Sequence, residues 1–277
     1  MNPEPRNEAD YSPRHTAAAR RVLVDVGQVL ASFVDCLVVV GGWTPDLLLP
    51  DAGEPHIGSM DVDLALDAAK LNDGRYAEMV KLLLDTKRYK AGEKDFQLVV
   101  EVDLKDGEKS VQVEVEFLAP KEVKLRKNRP MLLEDFRVLQ IEACSEAFHN
   151  PVELKIPGRN VRGAKNTVTL RVASVADFLV MKAHAIGGRD KPKDTYDFCY
   201  CLEQFPAGLA KLAEDWRKRA KEQNIAKAVE ILREKFASVD AFGPQQLVEF
   251  HSAPDRDAQA MQARQAYELV QKFLSLL

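Results

Sequence analysis

The sequence predicts an α+β fold, in which a sheet-forming N-terminal part is followed by a helical C-terminal part. The apolar, β-branched run at residues 36–42 ends in two glycines, as a buried strand followed by a tight turn does. Two alternating runs within residues 96–118 flank Asp106-Gly107, which is typical of a β-hairpin. From Ser174 onward, apolar residues recur at helical spacing. We therefore expect a sheet with flanking helices first, and helices alone afterwards.

The order of the individual elements follows from the same patterns. A second strand is expected at 60–66, and Pro45 is tolerated in the first turn of a short helix that precedes it. Residues 134–147 are ambiguous, being compatible with a strand followed by a short helix. Further elements are expected as helices at 15–34, 43–49, 75–87, 175–188, 192–203, 207–221, 223–235, 244–250 and 257–276, and as a strand pair at 151–156 and 167–172.

The chain length suggests two domains. A chain of 277 residues can form two domains of modest size. Residues 1–13 are polar and contain three prolines, so we expect a loose N-terminal tail. We expect an α/β domain at 14–172 and a helical domain at 173–277.

Charge and hydropathy exclude some classes of function. The formal net charge of −4 argues against an electrostatic clamp on nucleic acid that involves the whole protein. Two local basic stretches, at 121–129 and at Arg159, Arg162 and Lys165, are either solvated surface or able to attract an NTP or an RNA backbone. Neither a signal peptide nor an apolar run long enough to span a bilayer is visible, so we expect a cytoplasmic protein without a membrane partner.

The cysteines indicate a reducing compartment. Their spacing does not fit a zinc site, and the chain shows no disulfide framework. We therefore interpret all of them as free thiols. The four are Cys36, Cys144, Cys199 and Cys201.

Asp61 and Asp63 are the most informative pair of residues. In a strand, side chains alternate between faces, so these two carboxylates share one face. Hard oxygen ligands at this spacing suit Mg²⁺, which typically takes one or two carboxylates plus substrate phosphates. The alternative interpretation is a solvent-facing pair of aspartates on an edge strand.

A third carboxylate is expected on the second strand of the hairpin. Gln112, Glu114 and Glu116 share one face of that strand, and the apolar residues between them share the other. We favour Glu116, which lies near the strand end, and Glu114 stays open as the alternative. A solvated polar face is the simpler interpretation, since antiparallel sheets often have one.

Gly41 and Gly42 end the first strand. A glycine turn before a helix exposes backbone N–H groups that can hold a phosphate. A plain tight turn explains the two glycines equally well.

Lys182 lies on the apolar stripe of a helix that begins near Val175. A buried ammonium group is costly unless it is paired. It therefore either extends its head to water, as lysines often do, or is aimed at a triphosphate as a point charge. Asp194 lies in the first turn of the next helix, which begins at Pro192. That carboxylate either complements the helix dipole or orients Lys182 or Arg189.

These residues together resemble a known group of enzymes. Gly41-Gly42, the pattern Ser59-x-Asp61-x-Asp63 and the acidic strand resemble the nucleotidyltransferase fold of the DNA polymerase β type. The segment 182–198 resembles the second signature of AbiEii-like nucleotidyltransferases, which include toxins of type IV toxin–antitoxin systems. That signature places a lysine, an arginine and an Arg/Lys-Asp-x-x-Asp segment in this order. The matching residues here are Lys182, Arg189, Lys193, Asp194 and Asp197.

Two departures accompany the resemblance. The interval from Gly42 to Asp61 is longer than in the most compact members, with an apparent loop insertion at 50–55. Phe198 replaces the usual aliphatic residue after Asp197, which is a mild change.

The resemblance implies a mixed sheet with flanking helices and a reaction in which an NMP moves from an NTP to an acceptor with Mg²⁺ or Mn²⁺. The implied acceptor is RNA, in particular tRNA, or a protein, and the implied partner is a cognate antitoxin. One alternative is a small-molecule nucleotidyltransferase of the antibiotic-modifying type, and another is a non-catalytic member that binds a nucleotide or a partner. The implied metal ligands are Asp61, Asp63 and Glu116, which are catalytic together with Lys182. The implied nucleotide contacts are Gly41, Gly42, Ser59, Lys182, Arg189 and Asp194.

Overall fold

The computed structural model describes residues 5–67, 70, 74–121 and 138–277. The basic stretch at 121–129 lies outside these residues except for Lys121, and so does the beginning of the ambiguous segment 134–147. The chain forms two compact units. We call Ser12–Thr44 with Gly58–Ser174 the sheet unit, and Met1–Tyr11 with Pro45–Ile57 and Val175–Leu277 the helical unit.

Strands of the sheet unit form one mixed sheet. Along the sheet the strands follow the order β3-β4-β5-β2-β1-β8-β7, and β6 also pairs with β5. In the described residues the strands are β1 (Leu37–Val39), β2 (Asp61–Leu66), β3 (Tyr89–Ala91), β4 (Gln97–Val102), β5 (Val111–Pro120), β6 (Leu139–Ile141), β7 (Val152–Arg159) and β8 (Lys165–Val172).

The pairing of the strands determines which side chains are neighbours. β4 and β5 form the predicted antiparallel hairpin, and β7 and β8 form a second one. β2 runs antiparallel to β1 but parallel to β5. The buried residues of β2 and β5, among them Val62, Leu64, Val115 and Phe117, alternate with the carboxylates. The predicted α+β class with a mixed sheet is confirmed.

Helices cover part of this sheet. α1 (Pro13–Val29) packs against β5, β7 and β8, and α3 (Arg75–Asp85) brings Tyr76 edge-on to the ring of Phe117. The predicted helix at 15–34 ends early, because residues Ala31–Cys36 form a 3-10 helix. That segment contains Ser32, Val34 and Asp35, which are poor helix formers. The short helix α2 (Trp43–Leu48) begins directly after the Gly41-Gly42 turn.

The C-terminal part of the chain is helical, as predicted. Its core contains the fully buried rings of Phe198, Trp216, Phe250 and Phe273. No helix in the part of the chain that the structure describes is long and apolar enough to cross a membrane. The helices are α4 (Val175–Gly188), α5 (Pro192–Gln204), α6 (Gly208–Lys218), α7 (Gln223–Lys235), α8 (Phe242–His251) and α9 (Arg256–Ser275).

Candidate active site

Acidic side chains of β2 and β5 lie in two adjacent rows across the sheet. The parallel register pairs Asp61 with Glu114 and Asp63 with Glu116. All four are partly exposed, while the intervening valines are buried. Neighbouring strands lie about 4.8 Å apart, so the four carboxylates share one small polar face. We call these four residues the carboxylate face.

Local contacts hold Asp61 in place. The hydroxyl of Ser59 donates to Oδ1 of Asp61 at 2.5 Å. The indole N–H of Trp43, which is buried, donates to the backbone carbonyl of Asp61 at 2.7 Å. A hydroxyl and an indole therefore fix the side chain and the backbone of the first aspartate.

The glycine turn lies directly against the second aspartate. Gly41 has a φ of 66°, and a Cβ atom placed on it would overlap the carboxylate of Asp63. The amide of Val40, the residue before the turn, donates to the carbonyl of Asp63 at 3.1 Å. Gly41 is thus required twice, for its left-handed backbone and for its missing side chain. Gly42 completes the turn.

We expect Gly41→Ala to destabilise the protein more than the same change at another left-handed glycine. Gly107 in the β4–β5 turn has a φ of 85° and open space around its Cα. Gly107→Ala should cost about 1–2 kcal/mol through backbone strain alone. Gly41→Ala should add about 1–3 kcal/mol because Asp63 must move. Thermal melting of the two variants tests this, and equal melting temperatures would contradict the close approach.

Gln97 on β4 contacts both glutamates of the carboxylate face. Its amide nitrogen lies 2.6 Å from Oε2 of Glu114 and 3.0 Å from Oε1 of Glu116. The ammonium group of Lys94 also donates to Oε1 of Glu116, at 3.2 Å, from an exposed position. Burial raises the pKa of Glu114, and the charges of Glu116 and Asp61 act in the same direction, against that of Lys94.

His15 lies near this face from the first turn of α1. Burial lowers the pKa of its imidazole. A hydrogen bond with the backbone of Gln112 and the negative charge of Asp61 act in the opposite direction. His15 and Gln97 were not identified from the sequence. His15 lies in the first turn of an amphipathic helix, and Gln97 lies among apolar residues, so neither differs locally from an ordinary residue of a helix or strand.

The chemistry of the carboxylate face fits a hard divalent ion. Aspartate and glutamate oxygens are the ligands that Mg²⁺ prefers, and one or two of them suffice when phosphates and water complete the shell. Within the described residues, no three His, Cys, Asp or Glu side chains form a ready-made metal cluster. Asp61 and Asp63 therefore fit such an ion as a pair, and the assignment of Glu116 as a third ligand stays a prediction.

In the helical unit, Lys182 lies between two carboxylates. Its ammonium nitrogen is 2.7 Å from Oδ1 of Asp194 and 2.7 Å from Oδ2 of Asp197. The residue is 8% exposed, so its head does not extend to water. Burial opposes the charge, but both aspartates hold the pKa of Lys182 above its ordinary value. This lysine is a paired buried cation.

Asp194 joins Lys182 to Arg189. The guanidinium of Arg189 donates to both oxygens of Asp194, at 2.7 and 3.0 Å. Burial would raise the pKa of Asp194, but the adjacent Lys182 and Arg189 lower it to about 2. The side chain of Arg189 is 53% exposed, so part of its guanidinium faces solvent. Asp194 thus orients both cations, in addition to its place in the first turn of α5.

Asp197 binds a second lysine and a histidine. Lys193 Nζ lies 2.6 Å from its Oδ1, and His56 Nε2 lies 2.9 Å from the same oxygen. Burial opposes ionisation of Asp197, but Lys182, Lys193 and the hydrogen bond from His56 hold its pKa well below the ordinary value. Burial and the charge of Lys193 lower the pKa of His56 to about 4, although the hydrogen bond to Asp197 and the negative charge of that residue raise it.

The structure thus brings the predicted site residues together in two groups. Three cations and two carboxylates of the helical unit leave one net positive charge, because His56 is neutral at pH 7. We call this second group the cation network; it consists of Lys182, Arg189, Lys193, Asp194, Asp197 and His56. The first group, in the sheet unit, consists of Gly41, Gly42, Ser59, Asp61, Asp63 and Glu116.

Comparison with known proteins identifies the family. Residues 58–276 match the model of a family described as nucleotidyl transferase AbiEii toxin, type IV toxin–antitoxin system. The chain belongs to this family. Solved structures that are similar include the crystal structure of an antigenic nucleotidyltransferase-like protein from Paracoccidioides brasiliensis. That protein is 17% identical, with a TM-score of 0.44, over 85% of this chain and 95% of that chain. No curated protein matches the sequence.

Proposed function

We propose that the protein is a divalent-metal-dependent nucleotidyltransferase that moves an NMP from an NTP to RNA. The observation that carries the proposal is the parallel pairing of β2 with β5, which aligns Asp61 with Glu114 and Asp63 with Glu116. Family membership supports the reaction type. A cognate antitoxin is the partner that membership in a type IV toxin–antitoxin family suggests.

In this proposal each residue has a defined task. Asp61 and Asp63 hold the divalent ions, with help from Glu116. When bound, such ions stabilise the attacking and leaving oxygens of an in-line displacement. The acceptor hydroxyl gives its proton to water as its oxygen bonds to the α-phosphorus. The bond from that phosphorus to the bridging oxygen breaks, and pyrophosphate leaves. Ser59 keeps Asp61 in a single rotamer through its 2.5 Å hydrogen bond.

The cation network is proposed to balance the phosphate charge. Arg189 presents its half-exposed guanidinium to the phosphates. Lys182 adds a positive charge that is fixed in position by its ion pair with Asp194. Such charges act in a preorganised way, because they are oriented before the substrate arrives. Gly41 and Gly42 would approach phosphate oxygens with their backbone.

We also propose that the chain consists of an α/β domain at 14–172 and a helical domain at 173–277.

The β7–β8 hairpin supports RNA as the acceptor. Arg159, Arg162 and Lys165 are exposed near its turn, and among the described residues none of them makes an ion pair. Arg159 donates to the carbonyl of Gly163 at 2.7 Å, and its strand and the facing one line an open groove. No aromatic side chain occurs within 152–172, so the hairpin suits phosphates rather than stacked bases.

We expect removal of these three charges to weaken RNA binding. Arg159→Ala, Arg162→Ala and Lys165→Ala combined should raise the dissociation constant for tRNA about 10- to 100-fold at low salt. The logarithm of the association constant decreases with the logarithm of the salt concentration, and this decrease should become less steep by about 2, since each lost phosphate contact contributes roughly 0.7–0.9. Fluorescence anisotropy with labelled tRNA measures both quantities.

The matched control removes three other exposed cations of the sheet unit. Lys81, Lys90 and Lys109 are exposed and make no ion pair in the described part of the chain. Changing these three to alanine alters the net charge equally and should leave the affinity within about two-fold. If both triple variants lose affinity equally, the hairpin is not the RNA contact.

A labelling experiment tests the reaction itself. Purified protein is incubated with each α-³²P-labelled NTP, Mg²⁺ and total tRNA, beside the Asp61→Ala variant. Label on RNA with the wild type alone supports the proposal and reveals the donor. Label on the protein indicates a protein acceptor, and label on neither, without Mg²⁺-dependent NTP binding, supports a non-catalytic binding member instead.

A further inference from the structure

Gln97 occupies an unusual place for a polar residue. It is 2% exposed, although it faces the carboxylate side of the sheet. The antiparallel register pairs it with Glu116, which in turn pairs with Asp63 on the opposite side. Gln97, Glu116 and Asp63 therefore form one row across three neighbouring strands, and the amide lies at the end of that row.

The amide donates to two acids at once. Its nitrogen reaches Oε2 of Glu114 at 2.6 Å and Oε1 of Glu116 at 3.0 Å, which uses both of its N–H groups. The opposite amide orientation would turn the carbonyl oxygen towards two carboxylates, so the charges themselves select this one. Gly92 closes off the amide, because a Cβ atom there would lie 2.6 Å from Oε1 of Gln97.

We infer that Gln97 is a positioning residue, which holds Glu114 and Glu116 side by side so that they can serve a divalent ion. Two glutamates on one face of a strand repel each other and have several rotamers each. A buried amide with two donors removes both problems without adding charge. It also leaves Oε1 of Glu114 and Oε2 of Glu116 without a hydrogen-bond donor among the described residues.

This inference rests on the proposed metal-dependent function, and it goes beyond it by assigning a residue outside the acidic set. Partners that orient metal ligands typically contribute about 10- to 100-fold to metal affinity or activity. Glutamine has the length to reach both acids from the neighbouring strand. Asparagine at this position would be one methylene too short.

The test compares Gln97→Met, which keeps the length but removes both donors, with wild type. Electron paramagnetic resonance of free Mn²⁺ gives metal affinity, and labelled NTP turnover gives kcat and KM. We expect Mn²⁺ affinity and kcat to fall about 10- to 100-fold, while KM for the NTP changes less than about three-fold. Circular dichroism must show an unchanged fold.

Val99→Met serves as the matched control. Val99 follows Gln97 on the same face of β4 and pairs with Glu114, yet it donates no side-chain hydrogen bond. This variant should bind Mn²⁺ as the wild type does. A folded Gln97→Met variant with wild-type Mn²⁺ affinity and kcat would overturn the positioning role. Failure of the wild type itself to bind Mn²⁺ or transfer a nucleotide would instead overturn the proposed function, and the inference with it.

Discussion

Asp61→Asn should abolish nucleotidyl transfer while leaving the fold intact. Asparagine has the size of aspartate and can still accept the hydroxyl of Ser59, and the Trp43 indole bonds to the backbone of this residue. The lost negative charge is what a divalent ion requires. We expect turnover to fall at least about 100- to 1,000-fold, as for loss of a group that stabilises transition-state charge.

Labelled NTP turnover, with circular dichroism as a check on folding, measures this effect. Glu101→Gln is the matched control, because Glu101 is exposed at the end of β4 and makes no ion pair within the described residues. That variant should keep wild-type turnover. A folded Asp61→Asn protein with wild-type turnover would refute the mechanism, whatever the acceptor is.

The second large effect that we expect is a loss of stability when Asp197 is replaced by asparagine. This carboxylate is fully buried and neutralises two buried ammonium groups, Lys182 at 2.7 Å and Lys193 at 2.6 Å. Asp197→Asn keeps the shape but leaves the three cations of the network with one remaining aspartate, Asp194. Breaking a buried pair by removing one partner typically costs about 3–5 kcal/mol. We therefore expect the melting temperature to fall by roughly 10 °C or more.

The same substitution at Asp190 is the control. Asp190 forms an ion pair with Arg6 at 2.9 Å, but its side chain is 62% exposed. Exposed pairs contribute about 0–1 kcal/mol, so Asp190→Asn should shift the melting temperature by only a few degrees. Trp216 lies in the core of the helical unit, and its fluorescence reports unfolding there. Equal shifts for the two variants would show that the cation network contributes no more than a surface pair.

The pH dependence of the Asp197 contribution has a definite sign. Its pKa is lowered in the folded state, so its stabilising effect is complete above the unfolded value of about 3.9. The effect decreases as the pH falls through the folded value. The difference between wild type and Asp197→Asn should accordingly shrink on acidification below about pH 4.

Local sequence patterns account for much of the fold. Gly41-Gly42, Asp106-Gly107 and the alternation along β5 are features of neighbouring residues, and each predicted an element that the structure contains. The helix limits around Gly188 and Pro192 follow from the same kind of local chemistry. The strand pairing β2 with β5 depends on residues 50 or more positions apart, which local patterns do not encode.

The same distinction explains what was missed at the site. Gln97 becomes informative only once β4 lies beside β5, because its partners are 17 and 19 residues away. For Lys182, the sequence left open whether its head reaches water, and α5 resolves the question by supplying Asp194 and Asp197. Spacing along one helix could not reveal a pairing that depends on how two helices pack.

The parallel pairing of β2 with β5 also orders events during synthesis. Parallel neighbours cannot be joined by a tight turn, and here α3, β3 and β4 occupy the chain between them. When Asp61 and Asp63 have been added to the growing chain, Glu114 and Glu116 have not yet been synthesised. The nascent chain therefore carries two of the four acidic residues of the carboxylate face through a long stretch of translation before the other two can fold beside them.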